Sequence, residues 1–542
     1  MHTLKTTVLL CCLQLCRLQA ATFYVDPATG NINNSGAYDT PWSTLEEVIS
    51  HKLIRSYAYS PLPYNAATSQ PVLFNASAPV RSGDTIVLRS GLHGEVFLQN
   101  YINTSYITIM AEAGHTPILK KIRLQACKYW RFEGLSVSSE PYGIYLSDKL
   151  VFFESHGWQG PTSHIEIKGC DVYSTQTPWS TAGDWVSKVS DGIYIRGDSV
   201  IAVDNLLRNV DMGLTAYGDH IQAIGNRIVN FSGDGMRLLG SYILFEKNLI
   251  KNCYDVDDNH DDGIQSFTTN GIVVDNNIVR SNIILNYDDP AQPLLGPLQG
   301  IGCFDGFYNN WLVENNLIVV NHWHGITFLG ANDCRIINNT VLDPTPDIQP
   351  GASWIRIDNH KDGTPSSNCV VMNNVCNSFV VDGTTGNNVV LKTYAEYANN
   401  FVDYASYDFH LLENSVLIGA ADNSVAPLFD LDGTMRPQGD LADIGCYEYV
   451  YTTGIGDSPQ SDQSLRLFPN PAADRLQIGD AGFDDPAEVE IFTSTGVIVY
   501  RKSLRAGETE LDISGLDRGM YFLTLIWRGE RIAGKFIKDA GR

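Results

Sequence analysis

The sequence predicts an all-β chain built as a right-handed parallel β-helix, and three observations carry that prediction. Six short segments share a glycine followed by alternating residues: SDGIYIRG (190–197), DMGLTAYG (211–218), GDGMRLLG (233–240), DDGIQSFT (261–268), LQGIGCFD (298–305) and WHGITFLG (323–330). An asparagine-bearing segment accompanies each of them: VDNLLRN, IGNRIVN, FEKNLIKN, VDNNIVRSN, VENNLIVVN and IINNTVL, carrying Asn205, Asn226, Asn248, Asn277, Asn316 and Asn339. No helical periodicity intervenes. The glycines, at 192, 213, 235, 263, 300 and 325, are 21, 22, 28, 37 and 25 residues apart.

Each element follows from those facts. Alternation with a period of two gives strands rather than helices, so each unit of about 22 residues holds two short strands. One such coil cannot bury its own apolar face, and coils must therefore stack. A recurring Asn fits an internal ladder of amides bonded along the stack. Right-handedness follows from the general preference of crossover connections between parallel strands. The solenoid is expected over residues 21–450.

The alternation also sorts the side chains. Ile193, Leu214, Met236, Ile264, Ile301 and Ile326 follow the glycines and should stack inward as one buried column. Tyr194, Thr215, Arg237, Gln265, Gly302 and Thr327 should point out, as should Arg196, Tyr217, Leu239, Phe267, Phe304 and Leu329. Extra length falls at one corner, between the Asn strand and the Gly strand: residues 174–190, 254–260 and 286–299. Insertions gathered on one side of a solenoid mark its binding face.

The densest chemistry lies in one of these insertions. NCYDVDDNHDDGIQSF (252–267) places Asp255, Asp257, Asp258, Asp261 and Asp262 with His260 within eight residues, directly before a strand. Close carboxylates repel unless a cation or basic partner holds them, so the stretch reads as a cation site, an acid–base pair or a solvated turn. Ca²⁺, which takes six to eight oxygens, is the cation it would suit, with Asp255, Asp257, Asp258 and Asp261 as ligands. Coils stack about 4.8 Å apart, which makes Asp234 and Asp262 neighbours, with Asp191 two coils from Asp234; Asp-Gly is also ordinary turn chemistry. His260 has no apolar periodicity around it. His322 and His324 flank Trp323, as ligand, base or loop residues. Trp158, Trp179 and Trp185 would stack on sugars or pack an early insertion down.

The 542-residue chain exceeds one ordinary compact domain and carries a formal charge of −24, which disfavours nucleic acid and anionic membranes. Its start, MHTLKTTVLLCCLQLCRLQAATFYV, has the basic, apolar and small-residue regions of a secretory signal peptide over 1–20. Three of the eleven Cys lie there; the other eight show no paired C-x-x-C metal spacing. Most are expected as small core residues, with Cys369 and Cys376 the nearest candidate disulfide. The protein is expected to be a monomer with no membrane span.

Three segments carry family resemblances. ATFYVDPATGNINNSGAYDTPWSTLEEVI and SGDTIVLRSGLHGE resemble the N-terminal segment and first coil of many secreted bacterial β-helix proteins. LFDLDGTMRPQGDLADIGCYEYV (428–450), with Asp432, Gly433, Arg436, Asp443, Ile444, Gly445 and Glu448, is similar to the closing motif of the choice-of-anchor Q type. After a polar linker (451–464), LRLFPNPAADRLQI, VEIFTSTGVIVY, LDISGLDRGMYFLTL and GERIAGKFIK resemble the type IX secretion C-terminal sorting domain of Bacteroidetes. That resemblance implies a small β-sandwich over 465–542, read by the secretion machinery. HDDGIQ and HWHGI echo elements of polygalacturonases, but WIRID (354–358) has Asp where that family has Lys.

Secreted β-helices host polysaccharide lyases, glycoside hydrolases and uronate epimerases. The leading expectation is a lyase that cleaves an acidic glycan by β-elimination, with Arg237 clamping the uronate or acting as base and His260 or His324 moving the proton. Asp234, Asp262 and Gln265 complete the candidate catalytic group. Tyr194, Arg196, Tyr217 and Trp323 are the candidate sugar-binding residues. The alternatives are a hydrolase using paired Asp and a non-catalytic carbohydrate-binding or adhesive solenoid.

Overall fold

The inward column forms as expected and sets the architecture. In the computed structural model, which describes residues 20–451 except 269, 270 and 290, and 465–538 except 471, 480–485, 494–497, 528 and 529, Ile193, Leu214, Met236, Ile264, Ile301 and Ile326 pair in register on consecutive parallel strands. All six are buried. The expected signal peptide and linker lie outside the described residues except for Ala20 and Tyr451. The column extends to Val151 before Ile193 and to Ile355 and Phe379 after Ile326.

Each coil contributes three strands rather than the expected two. Asp191–Arg196, Asp198–Val203 and Leu206–Val210 are followed by Leu214–Ala216, Gln222–Ile224 and Arg227–Phe231, and so on up the stack. The result is three parallel sheets of 15, 12 and 11 strands, the first including an antiparallel hairpin near its start. We call the sheets A, D and E: E carries the glycine segments, A follows it in each coil, and D carries the strands after the ladder Asn. Sheets A and D were read as one strand because only a tight turn at the ladder Asn separates them.

That turn has a repeated construction. The residue before each ladder Asn, including Asp204, Lys247, Ser281, Asn315, Asn338, Asn373 and Asn387, holds a left-handed conformation with φ between 50° and 56° in most cases and 59° at Asn373. Such a conformation costs non-glycine residues about 1–2 kcal/mol, less for Asn. The ladder offsets the cost. Asn205, Asn226, Asn248, Asn282, Asn316, Asn339 and Asn374 each pass an amide hydrogen to the next Asn's Oδ1, at 2.9–3.2 Å, and Asn388 ends the ladder by donating to the Val371 carbonyl. The same oxygens accept the preceding Asn's backbone N–H. Asn277, expected in the ladder, is not: it is buried at another turn, donating to the Gly240 carbonyl and accepting from Ile243 N–H. VDNNIVRSN holds two turn asparagines, and the register assigns Asn282 to the ladder.

The glycines of sheet E are a packing requirement. A Cβ at Gly192, Gly213 or Gly300 would lie 2.1–2.5 Å from the carbonyl oxygen of the glycine on the next coil.

Residues from Leu391 to Tyr447 cover the outer face of sheet D, packing Tyr397, Phe401, Phe409 and Ile444 on Leu317, Val319, Leu342 and Val375. The closing motif is organised by Arg436, which bonds the Asp443 and Gly445 carbonyls and the Glu448 carboxylate, with both ionic side chains buried. The eight described Cys are free and buried. Cys369 precedes a strand of sheet A and Cys376 lies in sheet D, so the candidate disulfide does not form. Residues 452–542 are a separate compact unit. Its described strands form two antiparallel sheets around Leu476, Val489, Leu523 and Phe536, the expected sandwich. Among the described residues, no helix is long and apolar enough to cross a membrane.

Two outcomes follow. Asn282→Ala leaves one Asn248 amide hydrogen, the Asn248 backbone N–H and the Phe245 carbonyl without their partners in the core, so its guanidinium unfolding should show a loss of roughly 2–4 kcal/mol. A chain ended at Gln463 should melt at the temperature of the full-length protein's solenoid transition, read by calorimetry.

Candidate functional site

Four long connections leave sheet D and enter sheet E, at residues 174–190, 254–260, 286–297 and 343–353, so the expected corner is the observed one; other stretches, 155–162 and 359–369, join sheet E to sheet A. The 286–297 connection is tied to the Asp-rich one: Asp255 N–H donates to Leu294 O and the Gln292 amide to Cys253 O. Between them opens a cavity of about 190 Å³ lined by Asp255, Asp258, Asn259, His260, Asp261, Pro297, Gln299 and His322.

Below this cavity the strand Asp261–Phe267 builds a buried acid pair with its neighbour coil. The Asp262 N–H donates to Asp234 Oδ1 at 3.0 Å, and Arg237 Nε donates to Asp234 Oδ2 at 2.5 Å. Asp262 Oδ2 faces His260 Nδ1 at 3.2 Å and accepts from Gln265 Nε2 at 3.1 Å. Asp262 Oδ1 is buried without a partner and points at Gly302, where a Cβ would lie 2.3 Å from it. Gly302 on the outward strip thus makes room for the carboxyl group. Asp234 and Asp262 are fully buried, while the His260 side chain is 58 % exposed. His260 is therefore the accessible member, with Asp262 orienting it from behind.

The electrostatics separate these groups. The Asp262 hydrogen bond holds His260 above its usual range. Burial pushes Asp262 up, against the pull of His260 and Gln265. Burial likewise raises Asp234 despite Arg237. Asp261 goes furthest: burial and the neighbouring acids push it to about 8. Its Oδ2 accepts from the Cys253 thiol, and its Oδ1 is buried without a partner, as is Gln299 Oε1. At neutral pH Asp261 is a carboxylic acid in the cavity wall. On the preceding coils burial and Asp191 push Asp211 to about 6.

His322 and His324 are held neutral. Burial takes His322 down to about 4 and His324, with His322 beside it, to about 3. His322 Nδ1 accepts the His324 N–H, and His324 Nδ1 meets the Thr327 hydroxyl, which also accepts from Trp354 Nε1. His324 packs on Phe304 and Trp354.

The structure brings together Asp234, Arg237, His260, Asp262 and Gln265, with His324 and Trp323 beyond them. Tyr194 and Arg196 stand three coils below Asp262's strand, and Tyr217 two, about 10–14 Å away at the strand spacing. Tyr194 lies under Lys149, and Tyr217 under Arg196. Of the outward strip, Thr215 and Thr327 are buried by their neighbours. Trp185 is buried, packing on Trp179 and Tyr254, so it anchors its loop; Trp158 lies on the connection from sheet E to sheet A, at another corner. Trp354 and Arg356 escaped the glycine pattern because the residue before Ile355 is Trp354 itself, where Gly325 precedes Ile326; the register shortens by one residue there. Gln299 was legible as Asp262's partner in register.

Of the four Asp expected to bind Ca²⁺, Asp255, Asp258 and Asp261 line the cavity and Asp257 does not. Asp257 instead accepts the Asn259 N–H in a local turn. Among the described residues, no three acidic, His or Cys side chains converge to hold a metal ion; as placed, the four do not form a coordination shell.

Comparison with known proteins fits this architecture. The right-handed β-helix region model matches residues 121–341 and 216–394, which together span just over half of the chain. The secretion system C-terminal sorting domain model matches residues 466–539. No curated protein matches the chain in sequence. Among solved structures, pectate lyase Pel9A is similar at 15 % identity and TM-score 0.40, covering 79 % of this chain and 96 % of its own. The GH136 lacto-N-biosidase from Eubacterium ramulus matches at 12 % identity and TM-score 0.35, with 68 % of each chain covered. The PL6 family polysaccharide lyase Pedsa3628 from Pseudopedobacter saltans matches at 13 % identity and TM-score 0.31, covering 68 % of this chain and 95 % of that one.

The acid pair has two measurable signatures. The His260 imidazole should titrate above 6.5 by NMR and fall back toward that value in Asp262→Asn. Asp261 binds its proton more tightly folded than unfolded, so stability should decline as pH rises from about 4 to about 8 and level off above. Asp261→Asn, which cannot ionise, should lack the decline attributable to this group when unfolding is followed across that range.

Proposed function

We propose that this chain, which belongs to the right-handed β-helix family and carries a sorting domain that directs it to the cell surface or extracellular space, is a glycan-cleaving enzyme working by general acid–base hydrolysis on an uncharged sugar chain. The observation that carries this reading is Asp261, a carboxyl group kept protonated near neutral pH in the wall of a cavity whose mouth also holds the exposed Asp258. Two carboxyl groups in one site with environments that set them apart are what glycoside hydrolysis uses. Asp261 would protonate the leaving glycosidic oxygen. Asp258 would accept a proton from the attacking water. His260, oriented by Asp262, would bind sugar hydroxyls and assist the proton transfer.

An uncharged glycan fits the charges better than a uronate. Arg237 is bonded to Asp234, and Arg356 to Asp358 at 2.6 Å, while the cavity presents Asp255, Asp258 and Asp261. β-Elimination needs the substrate carboxylate neutralised. The unpartnered Asp261 Oδ1 and Gln299 Oε1 leave one route to it, a Ca²⁺ ion drawn to these oxygens and bridging to a uronate. Calorimetric Ca²⁺ titration of wild type against Asp258→Ala and Asp261→Ala tests that route.

The purified chain should release reducing ends from a neutral polysaccharide without the ultraviolet absorbance of an unsaturated uronate. Both signals together would establish a lyase, and neither, across a broad panel, a binding protein. Activity should fall as pH rises through about 8, where Asp261 loses its proton. Asp261→Asn should lower kcat by about 10²–10⁴-fold while its circular dichroism spectrum stays that of the wild type.

A further inference from the structure

We infer that Trp323 and Trp354 form a sugar-stacking platform that continues the cavity along the helix axis and holds the next residues of the glycan chain, one residue per coil. This rests on the cavity being the site of reaction. Three observations support it. The platform is continuous with the cavity, because His322 both lines the cavity and packs on the Trp323 ring at 4.6 Å. The two indoles lie near each other, 6.2 Å apart with their planes tilted by 31°, on consecutive coils. Both remain accessible: Trp323 is 37 % exposed and Trp354 is half-buried.

The indoles are also held in place. Trp354 Nε1 donates to Thr327 Oγ1 at 3.0 Å, its ring meets His324 edge-on at 5.2 Å, and the Arg356 guanidinium lies 5.4 Å from its centroid. The Trp354 N–H donates to the Trp323 carbonyl. A fixed aromatic surface loses little freedom on binding, which is the condition for stacking to contribute affinity. The step from coil to coil, about 4.8 Å, is close to the length of one pyranose residue. Asp261 lies one coil below Gln299 and two below Trp323, so a chain lying along the helix can set successive rings at Asp261, at Gln299, over Trp323 and over Trp354. The chemistry this selects is a glycan with an apolar ring face, with Arg356 and Asp358 reaching its hydroxyls.

The test uses the full chain carrying Asp261→Asn, so that binding is read without cleavage, on an array of neutral and acidic polysaccharides. At least one polysaccharide should be retained, and Trp323→Ala or Trp354→Ala added to it should weaken retention at least tenfold, with Trp354→Phe restoring most of it; circular dichroism checks each fold. If Trp354→Ala fails to fold, Trp323→Ala decides. Binding that is equal in the folded Trp variants, or no polysaccharide bound at all, overturns the inference. Its failure is separable from that of the hydrolase reading. Wild-type cleavage with an unchanged KM in Trp323→Ala would refute the platform and keep the hydrolase, whereas Trp-dependent binding without wild-type cleavage would do the reverse.

Discussion

Everything in this molecule depends on the register in which one coil sits on the next, and the buried asparagine ladder is the interaction that enforces it. Each ladder amide before the last, Asn388, is satisfied twice over, by the next Asn and by a backbone carbonyl such as Ile167 O or Ala202 O. A slip of one residue would bury unpaired amides, at about 1–3 kcal/mol each, and turn the inward column to solvent. The left-handed residues before the ladder are held in a costly conformation by those bonds. Register in turn fixes which side chains meet: Asp234 beneath Asp262, Asp262 against Gly302, and His324 against Trp354.

The site inherits its character from that stacking. Carboxyl groups spaced through the sequence are compressed to one strand spacing, and burial raises their hold on a proton there. Asp262 lies behind His260 because both belong to the same short approach to a strand. The surrounding insertions are pinned by backbone bonds, such as those from Asp255 and Gln292, so the cavity wall has a defined shape although it is built from loops.

Much of this was legible in the residues, for physical reasons. Alternation and the glycine column report backbone geometry directly, and so located the six inward residues and the corner of the insertions. The neighbours Asp234 and Asp262 followed from the same alignment. Reading failed where the signal was not periodic. Asn277 and Asn282 are indistinguishable until pairing chooses between them. Trp354 lacks the glycine that marks its fellows. Tyr194, Arg196 and Tyr217 share the outward strip with the site, and the strip does not encode how far along the helix axis they stand, which is two or three coils. In the Asp-rich stretch charge is visible in the sequence and burial is not: Asp261 and Asp262 are inside, and Asp257 is outside.

The gathering of the longest connections between sheets D and E has a consequence for how such a protein changes over generations. Coils are joined in register by three sheets and a ladder, none of which passes through that corner. A connection there can run from a few residues to more than a dozen while the strands on either side keep the same partners. Stability is thus carried by one set of residues and selectivity by another, with little trade-off between them. A lineage of these chains can therefore exchange its loops, and with them the chemistry displayed at that corner, while the stack that displays them stays as it is.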